Sequence, residues 1–138
     1  METTFESKIG TIKASDERIF NFVADFNNLK PLIPADKLRD FEADTDSCRF
    51  SIPNFNMGKL GLRIIEREPF KTVKISGDGV ANQQFNLWVQ LKSVNENDTR
   101  LKLTMKADMN PMVKMMVSKH IQGFLDKLIE MIERMPFN

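Results

Sequence analysis

The stretch NPMVKMMVSKHIQGFLDKLIEMIERMP, residues 110–136, decides the fold. Asn110 is a good N-cap, and Pro111 suits the first helical position, where a missing N–H costs nothing. At about 100° per residue, Val113, Val117, Ile121, Phe124, Leu128, Met131 and Met135 fall on one stripe, opposed by Lys119, Gln122, Glu130 and Glu133. The spacing predicts a helix running to about Arg134 and stopped by Pro136. At roughly 1.5 Å per residue such a rod is about 36 Å long. Its apolar stripe requires a sheet to lie on.

The sheet is written immediately upstream, where the hydrophobic period is two. Phe41 and Ala43 alternate with Asp40, Glu42 and Asp44, and Cys48, Phe50 and Ile52 alternate with Arg49 and Ser51. Leu60, Leu62 and Ile64 share one face, followed by Val73 and Ile75. Phe85, Leu87, Val89 and Leu91 oppose Asn86, Trp88, Gln90 and Lys92. Leu101, Leu103, Met105, Ala107 and Met109 oppose Lys102, Thr104, Lys106 and Asp108. Short Pro-, Gly- and Asn-bearing connections between these runs predict hairpins, hence an antiparallel meander of six strands. Residues 3–13 add a further half-buried strand with Phe5 and Ile9 on one face. Ser15, followed by Asp16 and Glu17, caps a short helix carrying Ile19, Phe20, Phe22, Val23 and Phe26. Asn27-Asn28, Pro31 and Pro34 break that pattern, leaving two short helices after the first strand.

Composition narrows the chemistry. The chain has 138 residues and no internal repeat or linker, so one domain spanning 1–138 is expected. The net charge is +1, from 20 basic and 19 acidic residues, which gives no overall pull toward nucleic acid. One cysteine excludes an internal disulfide, one histidine excludes a multi-histidine metal site, and no cofactor motif is present. Residues 1–12 lack a signal-like apolar block, and no run is apolar enough for stable membrane insertion. A cytoplasmic monomer or weak homodimer is the expectation. The conspicuous feature is 9 Met and 11 Phe with no Tyr.

In its order of elements the chain resembles the START-like superfamily, also called SRPBCC. The resemblance rests on IKASDERIFNFVAD at residues 12–25, then Asn28 and Pro34, the acid-proline step Arg67-Glu68-Pro69-Phe70-Lys71, Asp98-Thr99-Arg100-Leu101, and the long terminal helix. It covers essentially the whole chain and implies the α+β helix-grip fold, a curved seven-stranded antiparallel sheet wrapped around the C-terminal helix. It also implies a cavity between sheet and helix for a hydrophobic or amphipathic small molecule. The superfamily includes lipid and sterol carriers, hormone receptors, aromatic polyketide cyclases and a co-chaperone branch, among which fold does not choose.

The residues expected to line such a cavity are Phe50, Leu62, Ile64, Phe85, Leu87, Val89, Leu103, Met105 and Met109 from the sheet. Met116, Val117, His120 and Phe124 join them from the helix. Most serve as core under any reading. The argument for a ligand is that seven of the nine methionines lie between Met105 and Met135, and methionine fills irregular or changing space. His120, about 60° from the centre of the stripe, reaches the cavity rim in this reading and fixes ligand orientation. The segments 27–34 and 77–82 are expected to gate access. Asp40, Glu42, Asp44 and Asp46 fail as a calcium loop, since Thr45 and Ser51 stand where Gly and Glu are needed. Cys48 shares parity with Phe50, so burial is expected rather than nucleophilic use. Trp88 falls on the polar register. It covers a convex surface, marks a partner interface, or betrays a bulge that inverts the strand. The shortage of catalytic groups favours a binder over a cyclase or dehydratase, and an exposed patch at Trp88 would favour an interaction module.

Overall fold

The alternation of residues 39–108 produces a continuous antiparallel meander in the structure, a computed structural model that describes residues 2–32, 38–51, 59–80 and 83–137. The strands are β1 (Glu2–Glu6), β2 (Gly10–Ile12), β3 (Arg39–Ala43), β4 (Ser47–Ser51), β5 (Lys59–Glu68), β6 (Thr72–Val80), β7 (Gln83–Asn95) and β8 (Asp98–Asp108). Helix α1 (Asp16–Val23) and two single 3-10 turns, Phe26–Asn28 and Lys30–Leu32, separate β2 from β3, and α2 (Pro111–Glu133) ends the fold. The sheet order is β1-β8-β7-β6-β5-β4-β3, with β2 also on β8. The expected seven strands are therefore all present, the first divided in two.

Ser7 explains the division. Its N–H donates to the Leu103 carbonyl at 2.9 Å, while its hydroxyl accepts from the Leu103 N–H at 2.9 Å and donates to the Lys8 carbonyl at 2.7 Å. The side chain replaces ladder bonds that the interruption removes, so the strand breaks without an orphaned partner. One further expectation changes: after α1 the chain makes 3-10 turns rather than a second short helix, because Asp25 caps Asn27 at 2.9 Å and Pro31 follows at once.

Helix α1 starts at the expected cap, with Ser15 accepting from the Arg18 N–H at 3.2 Å, and buries Ile19, Phe20 and Val23. It packs toward β6 and β7, whereas α2 approaches β1, β2 and β8. The two helices thus share the concave face, and Phe137 beyond α2 packs edge-on against Phe22 of α1 at 5.4 Å. Arg67 binds the Ala24 carbonyl at 2.9 Å and Asp46 at 2.7 Å, fastening the end of α1 to the β3–β4 turn. Phe70 turns the chain between β5 and β6 at φ 66, uncommon for a bulky residue, and its ring packs edge-on against Phe20 at 5.8 Å.

Helix α2 is rotated relative to the expected stripe. Val117 and Ile121 are buried as expected, but beyond them Leu125, Ile129 and Ile132 are buried where Phe124, Leu128 and Met131 were expected. Gln122 donates to the Glu6 carbonyl at 2.7 Å, Asp126 accepts from the Lys8 N–H at 2.8 Å, and Glu133 accepts from the Thr11 N–H at 2.9 Å. The Lys8–Glu130 ion pair at 3.4 Å adds to them. The helix therefore seals the edge strand that would otherwise expose unpaired backbone groups. At Gly10 it comes so close that a Cβ would stand 2.7 Å from Ile129 Cγ2.

Candidate functional site

Because paired residues of an antiparallel sheet point to the same side, the register defines the concave lining. Phe50 pairs with Leu60. The next row runs Cys48, Leu62, Gly77, Phe85, Ala107, and the row after it Ile64, Ile75, Leu87, Met105, Phe5. Val73, Val89 and Leu103 form a further row. All are buried except Leu62, which is half-buried; Arg67, the β5 partner of Val73, extends the last row as an exposed residue. Met109 and Val117 are buried beside them, and Phe124 is half-buried.

Two of the expected lining residues lie elsewhere. Met116 is 66% exposed and His120 is exposed, because the helix phase set by Gln122, Asp126 and Glu133 turns both outward. Met112 and Met115 are likewise exposed, at 73% and 84%. The methionines of α2 thus do not wall the interior along its first turns. Met105 of β8 and Met109 just beyond it do. The segments expected to gate access, 27–34 and 77–82, fall partly outside the described residues.

Reasoning from the sequence missed Gly77 as part of this lining, whereas Cys48 lies buried on the Phe50 face as its parity required. Gly77 is covered by the Phe85 ring, whose Cζ would lie 2.1 Å from an added Cβ. A glycine directly across from a phenylalanine in the register was the available signal. Burial raises the Cys48 thiol from 9.0 to about 12, with the nearby Asp44 carboxylate adding to the effect. Such a thiol stays protonated and behaves as a small apolar group.

A groove of about 470 Å³ lies over β3 to β6, bordered by residues of the outer register and by Ala43, Cys48, Leu62 and Gly77 of the inner one. Arg49, Arg63, Glu42, Asp78, Ser76 and Gln84 line it. Its floor is Gly61, where a Cβ would meet Asp78 Oδ1 at 2.8 Å. At one rim, Asp44 accepts from the Ser47 N–H at 2.7 Å and the Asp46 N–H at 2.9 Å, which holds its carboxyl below the usual range. Asp40, expected to share a strand face with Glu42, instead sits at φ 54 in a register shift of β3. Among the described residues no group of acids, histidines and cysteines is arranged to hold a metal ion.

Trp88 lies on the outer face, as its parity required, and is half-buried. Lys74 Nζ stands 5.4 Å and Lys106 Nζ 5.7 Å from its ring. The register shift of β6 and β7 falls between Gly77 and Val80, so no bulge inverts the strand at Trp88.

Solved structures share this architecture. Truncated norcoclaurine synthase from Thalictrum flavum superposes with a TM-score of 0.80 at 12% identity, covering 97% of this chain and 92% of that one. The Mll3558 protein from Rhizobium loti gives 0.64 at 20% identity, covering 95% and 97%. A protein of the dynemicin biosynthetic locus gives 0.64 at 16% identity, covering 95% of this chain and 46% of that one. These likenesses establish the fold, an α+β helix-grip. No curated protein sequence matches the chain. Family membership comes from the sequence itself: residues 10–135 match the family of CoxG, a carbon monoxide dehydrogenase subunit, and the chain belongs to that family.

Proposed function

We propose that the protein binds a hydrophobic or amphipathic small molecule against the concave face, between the sheet and α2, and performs no chemistry on it. The observation that carries this reading is the lining itself. Four consecutive cross-strand rows present Phe, Leu, Ile, Val, Met, Ala, Gly and a protonated thiol, with Arg67, bound to the Ala24 carbonyl, at the edge of the last; these groups suit desolvating a ligand rather than moving protons. Norcoclaurine synthase, of the same fold, has been solved in complex with dopamine and hydroxybenzaldehyde, so this architecture does admit aromatic guests in that protein. The family takes its name from a subunit of carbon monoxide dehydrogenase, which supports a carrier or accessory role beside a redox enzyme. A cyclase- or dehydratase-like activity would need an acid or base directed into these rows.

The lining is closely packed, so a ligand must displace side chains as it enters. Met105 and Met109 have the torsional freedom for that. The exposed start of α2, held to the sheet chiefly by Val117 and Ile121, is the segment with least to lose by moving.

Native mass spectrometry of freshly purified protein, paired with a melting panel of long-chain and aromatic compounds, tests the reading. A co-purifying apolar mass is expected. A true ligand at about 100 times its Kd stabilises by about 2.7 kcal/mol, which raises Tm by several degrees. No bound mass and no shift across the panel would overturn it.

A further inference from the structure

Both helices pack on the concave side, leaving the outer face of β6, β7 and β8 uncovered by either. The groups on this face are unevenly charged. Lys74, Lys92, Arg100, Lys102 and Lys106 lie there, while Asp78 and Asp108 sit at the ends of their strands and Glu66 of β5 stands across from Lys74. Two cations are neutralised locally: Lys102 pairs with Glu6 at 3.1 Å, and Arg100 with Asp98 at 2.6 Å. Lys74 and Lys106 have no carboxylate within ion-pair distance among the described residues, and both lean on the Trp88 ring instead. In a chain of net charge +1, this concentrates positive charge around its single tryptophan.

We propose that the face centred on Trp88 is a docking surface for an acidic segment of a partner protein. Trp88 supplies a rigid, half-buried aromatic anchor, the kind of residue that dominates interface energetics. Lys74 and Lys106 flank it with charges that no described carboxylate meets at ion-pair distance, Glu66 across from Lys74 included, and Asn86 and Ser76 beside them supply adaptable hydrogen bonds. Thr104 donates to Gln90 at 2.8 Å, which stiffens the sheet next to the ring. Electrostatic complementarity of this kind steers encounter and sets specificity, and it is screened by salt. The surface is on the opposite side of the sheet from the proposed ligand face, so partner docking does not depend on a ligand being bound.

The chain has one Trp and no Tyr, so its near-ultraviolet emission reports on Trp88 alone. The full chain is titrated with polyglutamate, a thymidine oligonucleotide and phosphatidylserine vesicles at about 0.01 M salt, where the Debye length is near 30 Å. Polyglutamate is expected to shift the emission, and raising the salt should reverse the shift. Labelled polyglutamate, followed by anisotropy, should bind the Lys74→Ala/Lys106→Ala protein about tenfold more weakly at unchanged melting temperature. Unmoved emission, or a double variant that binds like the parent, would overturn the proposal. Tighter binding of the oligonucleotide or the vesicles than of polyglutamate would also overturn it, reassigning the face to nucleic acid or membrane.

Discussion

Gly77→Ala isolates the packing of the concave face in a single methyl group. Gly77 pairs directly with Phe85, and an added Cβ would stand 2.1, 2.3 and 2.7 Å from three atoms of that ring. Ordinary carbon contacts are about 3.5–4.0 Å, so the ring must retreat by roughly 1.5 Å. It has little room to do so, being 7% exposed and bordered by Ala107 in its own row and Leu87 in the next. Overpacking of this kind costs about 1–3 kcal/mol, while removing a glycine from a strand returns about 0.5–1 kcal/mol. A net loss of about 1–2 kcal/mol follows, which for a chain of 138 residues is a drop in Tm of roughly 3–7 °C. Urea unfolding should show a lower midpoint at unchanged m. The decisive control is the same substitution in a Phe85→Leu background, where the shorter side chain leaves space for the methyl. The coupling between the two sites should be about 1 kcal/mol. If Gly77→Ala lies within about 0.5 kcal/mol of the parent, or if the two changes simply add, the packing described here is wrong.

Other substitutions test other parts of the structure. Gly123 lies inside α2 with nothing within 4 Å of a would-be Cβ, so Gly123→Ala should stabilise by about 0.5–1 kcal/mol, read by thermal unfolding. Gly10→Ala should do the opposite, since Ile129 Cγ2 would be 2.7 Å away; a loss of about 1–3 kcal/mol is expected. Asp98 is held below the usual carboxylate range, first by its hydrogen bond from Arg100 and then by Lys13. Its contribution is present above the unfolded value of about 3.9 and disappears as pH falls from there through the lowered folded value. Asp98→Asn should flatten that acid limb in pH-dependent unfolding. Cys48 has the opposite sign. Its thiol is raised from 9.0 to about 12, so stability should decline as pH climbs between those values, and Cys48→Ala should remove the decline. A thiol reagent should label native Cys48 only at the rate of opening.

The meander was legible because alternation is a strong signal wherever one sheet face is buried and the other wet. That reading placed Phe50, Phe85, Leu87 and Met105 on the concave side and Trp88 on the other. The broken first strand was not legible. Its residues alternate plausibly throughout, and the interruption exists only because the Ser7 hydroxyl can stand in for a backbone group 96 positions away. The left-handed Phe70 was equally hidden, since nothing local favours that conformation and its compensation is the distant ring of Phe20. Methionine clustering was real, but clustering in sequence says nothing of facing. Met105 and Met109 point inward while Met112, Met115 and Met116 point to solvent.

The phase of α2 shows why hydrophobic periodicity alone left the site incomplete. The second half of the helix carries adjacent apolar pairs, Phe124-Leu125, Leu128-Ile129 and Met131-Ile132, so two stripes about 100° apart bury similar area. Apolar transfer energy cannot choose between them. Polar satisfaction can. With Leu125, Ile129 and Ile132 inward, Gln122, Asp126 and Glu133 reach the Glu6 carbonyl and the N–H groups of Lys8 and Thr11. Turning the helix by one residue would forfeit all three bonds, at about 1 kcal/mol each, and reopen the sheet edge. The same rotation fixes Met116 and His120 on the outside, which removes His120 from the concave face on physical grounds rather than statistical ones. An edge strand that lacks its own partner thus determines which side chains a ligand on the concave face can meet.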